Sequence, residues 1–156
     1  GWEVLAALGP APAMPPMLPQ AQCQGAWERL SMTVDEVVRE SKTRPCKVHI
    51  DAIVTCKSAG DVACILFQNS YAASLSLEQR LEACTATDLE PNIVVPRHVL
   101  MRDPHCEDDA QAWHAIYRSE FARPLQDGPG VAQAVPQELS LRFHLLQPSP
   151  NWAHFS

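Results

Sequence analysis

"PCKVHIDAIVTCKSAGDVAC", residues 45–64, decides the fold, because it holds three of the six cysteines and is compatible with two secondary structures. On a helix that begins at Pro45, apolar side chains recur at i, i+4, i+7 and i+8. On a strand, apolar side chains occupy every second position, and β-branched residues are favoured there. The helical stripe is Cys46, Ile50, Ile53 and Val54, and the strand face is Val48, Ile50, Ala52 and Val54. Helix and strand both remain possible for residues 45–58, and the neighbouring segments favour the helix.

Those neighbouring segments carry helix-capping signals. Thr33 and Glu36 form a T-x-x-E capping box, in which each side chain accepts a hydrogen bond from the backbone N–H of the other residue. Ser76 and Gln79 repeat this pattern, and Asp61 is suited to cap the segment that follows it. Helices are therefore predicted within 26–45, 62–74, 77–84 and 136–147.

One further helix is predicted over residues 104–122. Pro104 suits the first helical position, and three acidic residues follow where the helix dipole favours negative charge. The apolar stripe of this amphipathic helix is Trp113, Ile116, Tyr117 and Phe121.

Proline divides the chain into a middle and two arms. Five of the 14 prolines lie within residues 9–19 and five more within 124–150, whereas residues 46–90 contain none. The sequence therefore predicts a mainly α-helical protein with extended proline-rich arms at both ends. The predicted segments are 1–26 (arm), 27–90 (cysteine-rich helical core), 91–123 (extended linker plus amphipathic helix) and 124–156 (C-terminal arm).

The clustered cysteines allow three interpretations: a disulfide staple, a zinc site or buried thiols. Zinc would use Cys46 and His49 as a C-x2-H pair, but zinc sites normally consist of two such close pairs. Buried thiols would act as small apolar side chains. The disulfide interpretation is preferred, and its candidate residues are Cys46, Cys56, Cys64 and Cys84.

The C-x9-C spacing of Cys46 and Cys56 resembles half of the motif of the coiled-coil-helix–coiled-coil-helix proteins of the mitochondrial intermembrane space. This resemblance implies a disulfide-stapled helical hairpin and a role as accessory or assembly factor of a respiratory complex. It implies pairing of Cys46 with Cys84 and of Cys56 with Cys64. The chain departs from the family between Cys64 and Cys84, which enclose nineteen residues, so the second arm of the hairpin would have to bend.

Charge and hydropathy exclude several classes of partner. The net charge is −6, and Lys and Arg form no long cluster, which argues against nucleic acid and against docking on anionic lipid. The longest uncharged apolar run, residues 62–67, is far shorter than the roughly 20 residues of a membrane-spanning helix. Contact with a membrane is expected only through partner proteins.

The sequence contains no recognisable catalytic motif. It lacks a G-x-S-x-G, a P-loop and a G-x-G-x-x-G, and its six histidines are scattered. Neither catalytic residues nor a cofactor or metal site is therefore predicted. Trp2 and Trp152 are predicted to anchor a partner protein, because aromatic side chains on proline-stiffened arms cannot bury themselves locally and dominate binding hot spots.

The predicted role is that of a non-catalytic accessory or assembly subunit of a larger complex, which binds other subunits through its arms. The expected compartment is the mitochondrial intermembrane space, with a thylakoid lumen or secretion as alternatives. One rival function is a free-standing secreted, disulfide-stabilised helical binding protein. Another is a small cysteine enzyme, which would need an unpaired thiol of low pKa.

Overall fold

Residues 45–64 fold as a strand, a short 3-10 turn and a second strand. In the computed structural model of the chain, which describes residues 3–8, 28–41, 45–81, 91–128 and 135–149, the first of these strands buries every second side chain. Its core-facing residues are Cys46, Val48, Ile50, Ala52, Val54 and Cys56. The apolar side chains therefore follow the two-residue period of a strand, and the prediction of a helix over residues 45–58 is wrong.

Eight β-strands account for the regular structure. They are β1 (Glu3–Leu8), β2 (Glu28–Ser41), β3 (Cys46–Cys56), β4 (Val62–Gln68), β5 (Ser74–Arg80), β6 (Asn92–Val99), β7 (Trp113–Tyr117) and β8 (Gln137–Gln147). Two 3-10 turns, Ala59–Asp61 and Arg118–Glu120, precede β4 and follow β7. The described residues contain no α-helix, so the prediction of a mainly α, helical-hairpin protein is wrong.

All eight strands belong to one antiparallel sheet with the order β6-β5-β8-β3-β2-β1-β4-β7. The sheet curls on itself. Three strands lie between β4 and β8 in the strand order, yet the Phe67 ring of β4 stacks on the Phe143 ring of β8 with centroids 5.9 Å apart. Strands β6, β5, β8, β3 and most of β2 form one layer, here called the long layer. Strands β1, β4 and β7 form the short layer, and the main hydrophobic core lies between the two.

The capping signals were misleading because they are local, whereas strand pairing is long-range. Thr33 and Glu36 lie in β2 and pair with residues of β3. Gln79 is buried in β5, where its side chain donates a hydrogen bond to the backbone carbonyl of Gln126. The Asp61 carboxylate caps only the 3-10 turn, by accepting a hydrogen bond from the backbone N–H of Ser58. Tertiary context overrides such propensities.

The predicted amphipathic helix over 104–122 is also wrong. Residues 113–117 form β7, which pairs with β4. Ile116 faces the main core, whereas Trp113 and Tyr117 pack with Leu5 and Cys64 in a small cluster on the other side of the short layer. A strand sends alternate side chains to opposite faces, so one helical stripe could not have predicted this division.

Strands from both predicted arms lie inside the sheet. β1 is placed between β2 and β4, and β8 is placed between β5 and β3. β8 buries every second residue, which is the alternation of a half-buried strand. β8 also carries part of the surface described next.

Candidate protein-binding face

The outer face of the long layer carries polar side chains in ordered rows, because residues that pair across antiparallel strands point to the same side. One row, here called the histidine row, consists of Val38, His49, His144 and Ser76. The next, here called the arginine row, consists of Glu36, Asp51, Arg142 and Glu78. Both rows run across β2, β3, β8 and β5.

The arginine row is held by a bidentate ion pair. Arg142 donates from Nε to Oδ1 of Asp51 at 2.7 Å and from Nη2 to Oδ2 at 2.9 Å. Arg80 adds a weaker contact to the same carboxylate at 3.7 Å. The hydrogen bond from Arg142 lowers the pKa of Asp51 below its usual value, and burial opposes this shift only in part. The Asp51 carboxylate therefore stays ionised in this face.

Each imidazole of the histidine row has its own carboxylate partner. His49 Nδ1 lies 2.7 Å from Glu40 Oε1, and His144 Nε2 lies 2.9 Å from Glu78 Oε2. The two rings meet edge-on with centroids 6.3 Å apart. Because each ring is held by a carboxylate of a neighbouring strand, the His49 and His144 side chains are already ordered before any partner arrives.

A groove crosses this face beside the histidine row. It has a volume of about 470 Å³, and its polar lining is Glu40, Lys47, Ser74, Ser76, Arg97 and His144. A second depression of about 230 Å³ adjoins it and shares Ser74, Arg97 and Leu146 with it. Together they form one elongated groove, whose apolar lining includes Leu146 and Pro96. Within the described residues, neither Lys47 nor Arg97 makes an ion pair, so both cations are available to a ligand.

The predicted cysteine staple is not formed by the residues that the structure describes. Cys46, Cys56 and Cys64 are buried, and no disulfide joins them to one another or to Cys106. Cys56 packs in the main core, whereas Cys64 lies in the small cluster outside the short layer. The two thiols of the predicted Cys56–Cys64 pair therefore lie in different regions of the fold. Burial raises the pKa of the Cys56 thiol.

The remaining predicted site residues fall outside the described ranges: Cys84, Trp2 and Trp152. The zinc alternative fails on geometry, because Cys46 faces the core and His49 faces outward from the same strand. Among the described residues, no three His, Cys, Asp or Glu side chains are arranged to hold a metal ion.

The sequence does not predict the outer face, because the residues that contact one another on this face are distant along the chain. Asp51 and Arg142 are 91 residues apart, and only the sheet brings them together. A signal did exist: Lys47, His49 and Asp51 alternate with the apolar positions of β3, which is typical of a strand with one solvated face.

No helix among the described residues is long and apolar enough to cross a membrane. No protein-family model matches the chain. In sequence, it is similar to mouse (Mus musculus) Nicolin-1, with 27% identity over 119 residues, which are 76% of this chain and 51% of Nicolin-1. The chain thus spans about half the length of this curated relative.

In structure, the chain resembles a chain from the X-ray crystal structure of reduced XRCC1 bound to the DNA polymerase β catalytic domain. The TM-score is 0.50 at 9% sequence identity, over 81% of this chain and 91% of that one. At such low identity the likeness concerns the fold alone. The chain is therefore similar in sequence to part of Nicolin-1 and similar in fold to a component of the XRCC1 complex.

Proposed function

We propose that this chain is a non-catalytic, protein-binding subunit of a larger complex. The observation that carries the proposal is the elongated groove on the outer face of the long layer. Its length suits an extended segment of polypeptide better than a compact small molecule, which would be enclosed in a deeper cavity.

The lining of the groove supports a protein ligand. Leu146 and Pro96 offer apolar contact, while Arg97 and Lys47 offer charge and Ser76 offers a hydroxyl group. Protein interfaces combine an apolar centre with polar groups at the rim in this way. His144 of the histidine row lines the groove and is already held by Glu78, so this side chain would lose little entropy on binding.

The comparisons add a precedent. The similar fold in the XRCC1 structure occurs in a complex of XRCC1 with a polymerase domain, which is an assembly of two proteins. The mitochondrial or other oxidising compartment stays a prediction.

The cysteine-enzyme alternative gains no support from the described thiols. Burial raises the pKa of Cys56, and a hydrogen bond to Asp103 raises the pKa of the exposed Cys106. A raised pKa leaves less thiolate at neutral pH, and the thiolate is the nucleophile.

Affinity purification of the tagged chain from its native cells tests the proposal. The groove variants are Leu146→Glu and Arg97→Glu. Ser140→Glu is the matched control, because Ser140 is an exposed residue of β8 on the same outer face, outside the groove. We expect wild type and Ser140→Glu to retain a stoichiometric protein partner and both groove variants to lose at least about tenfold in affinity.

Two results would overturn the proposal. One is a wild-type chain that purifies as a monomer without a stoichiometric partner. The other is equal recovery of the partner by the groove variants and by Ser140→Glu, with circular dichroism showing that all variants are folded.

A further inference from the structure

Among the strands that the structure describes, none pairs with one edge of β2 over most of its length. β1 pairs with β2 only at Glu28, Arg29 and Leu30, although β1 itself continues to Glu3. From Ser31 to Ser41, β2 pairs with β3 on one side, and no other described strand pairs with its second side. Backbone N–H and C=O groups on such an edge form a template for another strand.

Two valines next to this edge are exposed on the core-facing side of β2. Val34 pairs with Ala52 and Val37 pairs with Ile50, so both valines point to the same side as these buried core residues. Val34 is nevertheless 46% exposed and Val37 is 53% exposed. The core-facing side of β2 thus extends beyond the cover that the short layer provides.

A β-bulge explains why these two valines share a face. The register of β2 against β3 shifts between Val34 and Glu36, which adds one residue and restores the inward direction at Val37. A second shift lies between Arg39 and Ser41. The regular ladder between the two bulges, residues 36–39, is the segment best suited to accept a new strand.

The exposed charged residues of this edge are Asp35, Glu36, Arg39 and Glu40, so its net charge is negative. The side chains of Asp35 and Glu36 are exposed, and neither makes an ion pair within the described part of the chain. Glu36 also pairs across the sheet with Asp51, another carboxylate. A ligand strand that carries Lys or Arg would be attracted here, and an acidic one would be repelled.

We propose that a partner protein adds a β-strand to the open edge of β2, using aliphatic side chains over Val34 and Val37 and basic side chains beside Asp35 and Glu36. This inference rests on the proposed protein-binding function and specifies a second contact, which differs from the groove but adjoins it at Glu40. Strand addition of this kind takes its affinity from backbone hydrogen bonds and its specificity from alternate side chains.

The test uses the full chain and two short synthetic peptides, one of alternating valine and lysine and one of alternating valine and glutamate. Binding is measured by calorimetry, and the site is located by amide hydrogen exchange. We expect the valine–lysine peptide to bind more tightly and to slow exchange within residues 31–41. The double variant Asp35→Lys/Glu36→Lys is expected to reverse the preference, with a shift of about tenfold or more in the affinity ratio.

Glu138→Lys is the control, because it makes one such carboxylate-to-lysine change, half of the charge change of the double variant, at an exposed residue of β8 away from this edge. It should leave the preference for the valine–lysine peptide unchanged. Equal binding of the two peptides, absence of binding, or protection only outside residues 31–41 would overturn the inference. If the groove variants still lose the native partner in that case, the proposed function stands and only the strand-addition site is wrong.

Discussion

At the scale of single residues, the outer face depends on charged groups that neutralise one another across strands. Asp51 and Arg142 are both partly buried and form two hydrogen bonds. Removing one partner of such a pair leaves the other without compensation, which costs more than the pair contributes. This pair therefore offers a sensitive test of the strand register.

We expect Asp51→Asn to lower the free energy of unfolding by about 1–3 kcal/mol, because Arg142 loses a charged acceptor. Chemical denaturation at neutral pH measures the change, and Glu138→Gln, an exposed carboxylate on β8, serves as control with an effect within about 0.5 kcal/mol. Equal changes in the free energy of unfolding for the two substitutions would contradict the Asp51–Arg142 ion pair.

The same pair predicts an acid dependence. Because the folded pKa of Asp51 is lowered, its contribution to stability is present above about pH 4, the unfolded value, and is lost as the pH falls through the folded pKa. Asp51→Asn should therefore flatten the acid limb of a plot of stability against pH. An unchanged acid limb would count against this assignment.

A second pH-sensitive contact joins β6 and β7, the two edge strands of the sheet. His98 Nε2 of β6 lies 3.4 Å from His114 Nδ1 of β7. Burial lowers the pKa of both rings, while Glu120 opposes the shift at His98 and Asp109 opposes it at His114. The contact is thus favourable chiefly while both imidazole rings are neutral, and it holds β6 beside β7.

This contact should weaken the fold in mild acid. The unfolded imidazoles take up protons below about pH 6.5, whereas the folded ones resist, so stability falls as the pH drops from that value through the folded pKa. Thermal unfolding between about pH 5 and 8 measures the slope. We expect His114→Gln to reduce the slope. A slope equal to that of wild type would show that the pair does not couple to folding.

At the scale of elements, the connection between β4 and β5 must pass from the short layer to the long layer. Buried Asn69 organises it: its side-chain Nδ2 donates to the carbonyl of Ala72 at 2.8 Å, and its Oδ1 accepts from the backbone N–H groups of Ser70 and Ala72. Tyr71 has a φ of 61°, a left-handed conformation that is uncommon for a residue with a side chain.

We expect Asn69→Ala to destabilise the fold by about 1–3 kcal/mol, since buried backbone groups would lose their partners. Tyr71→Gly should relieve the left-handed strain, and its net effect should be much smaller than that of Asn69→Ala. Urea titration compares the two variants. A neutral Asn69→Ala would show that the loop is held in another way.

The elements also show how far the sequence could predict the fold. The alternation in β3 can be read from the sequence, in which Val48, Ile50 and Val54 form a possible strand face. The choice between helix and strand could not be made locally, because apparent capping boxes such as Thr33 with Glu36 occur by chance within strands. What decides the choice is the pairing of β3 with β8, which lies more than eighty residues away.

At the scale of the whole molecule, one aromatic contact closes the curled sheet. Phe67 and Phe143 are fully buried and stack between the two layers. We expect Phe143→Ala to cost about 3–5 kcal/mol, the range for deletion of a buried aromatic ring. Phe143→Leu should cost less, because it retains more of the buried volume. Calorimetric unfolding measures both, and a smaller loss for the alanine variant would contradict this packing.

The whole molecule also explains why the candidate site could not be predicted. The groove is lined by residues of five strands, from Glu40 on β2 to Leu146 on β8, and no sequence window contains them. The prediction of Trp2 and Trp152 as anchors rests on residue type alone, and both lie outside the described residues. Residue type can indicate binding, but only the topology identifies the surface.

Photocross-linking in the native cells provides the decisive measurement, with a benzophenone amino acid placed at Arg97 in the groove or at Glu138 outside it. Both positions are exposed and belong to the long layer. A discrete cross-link to another protein from position 97, absent from position 138, is the expected result. Equal cross-linking from both positions, or none from either, would contradict the binding of a protein partner in this groove.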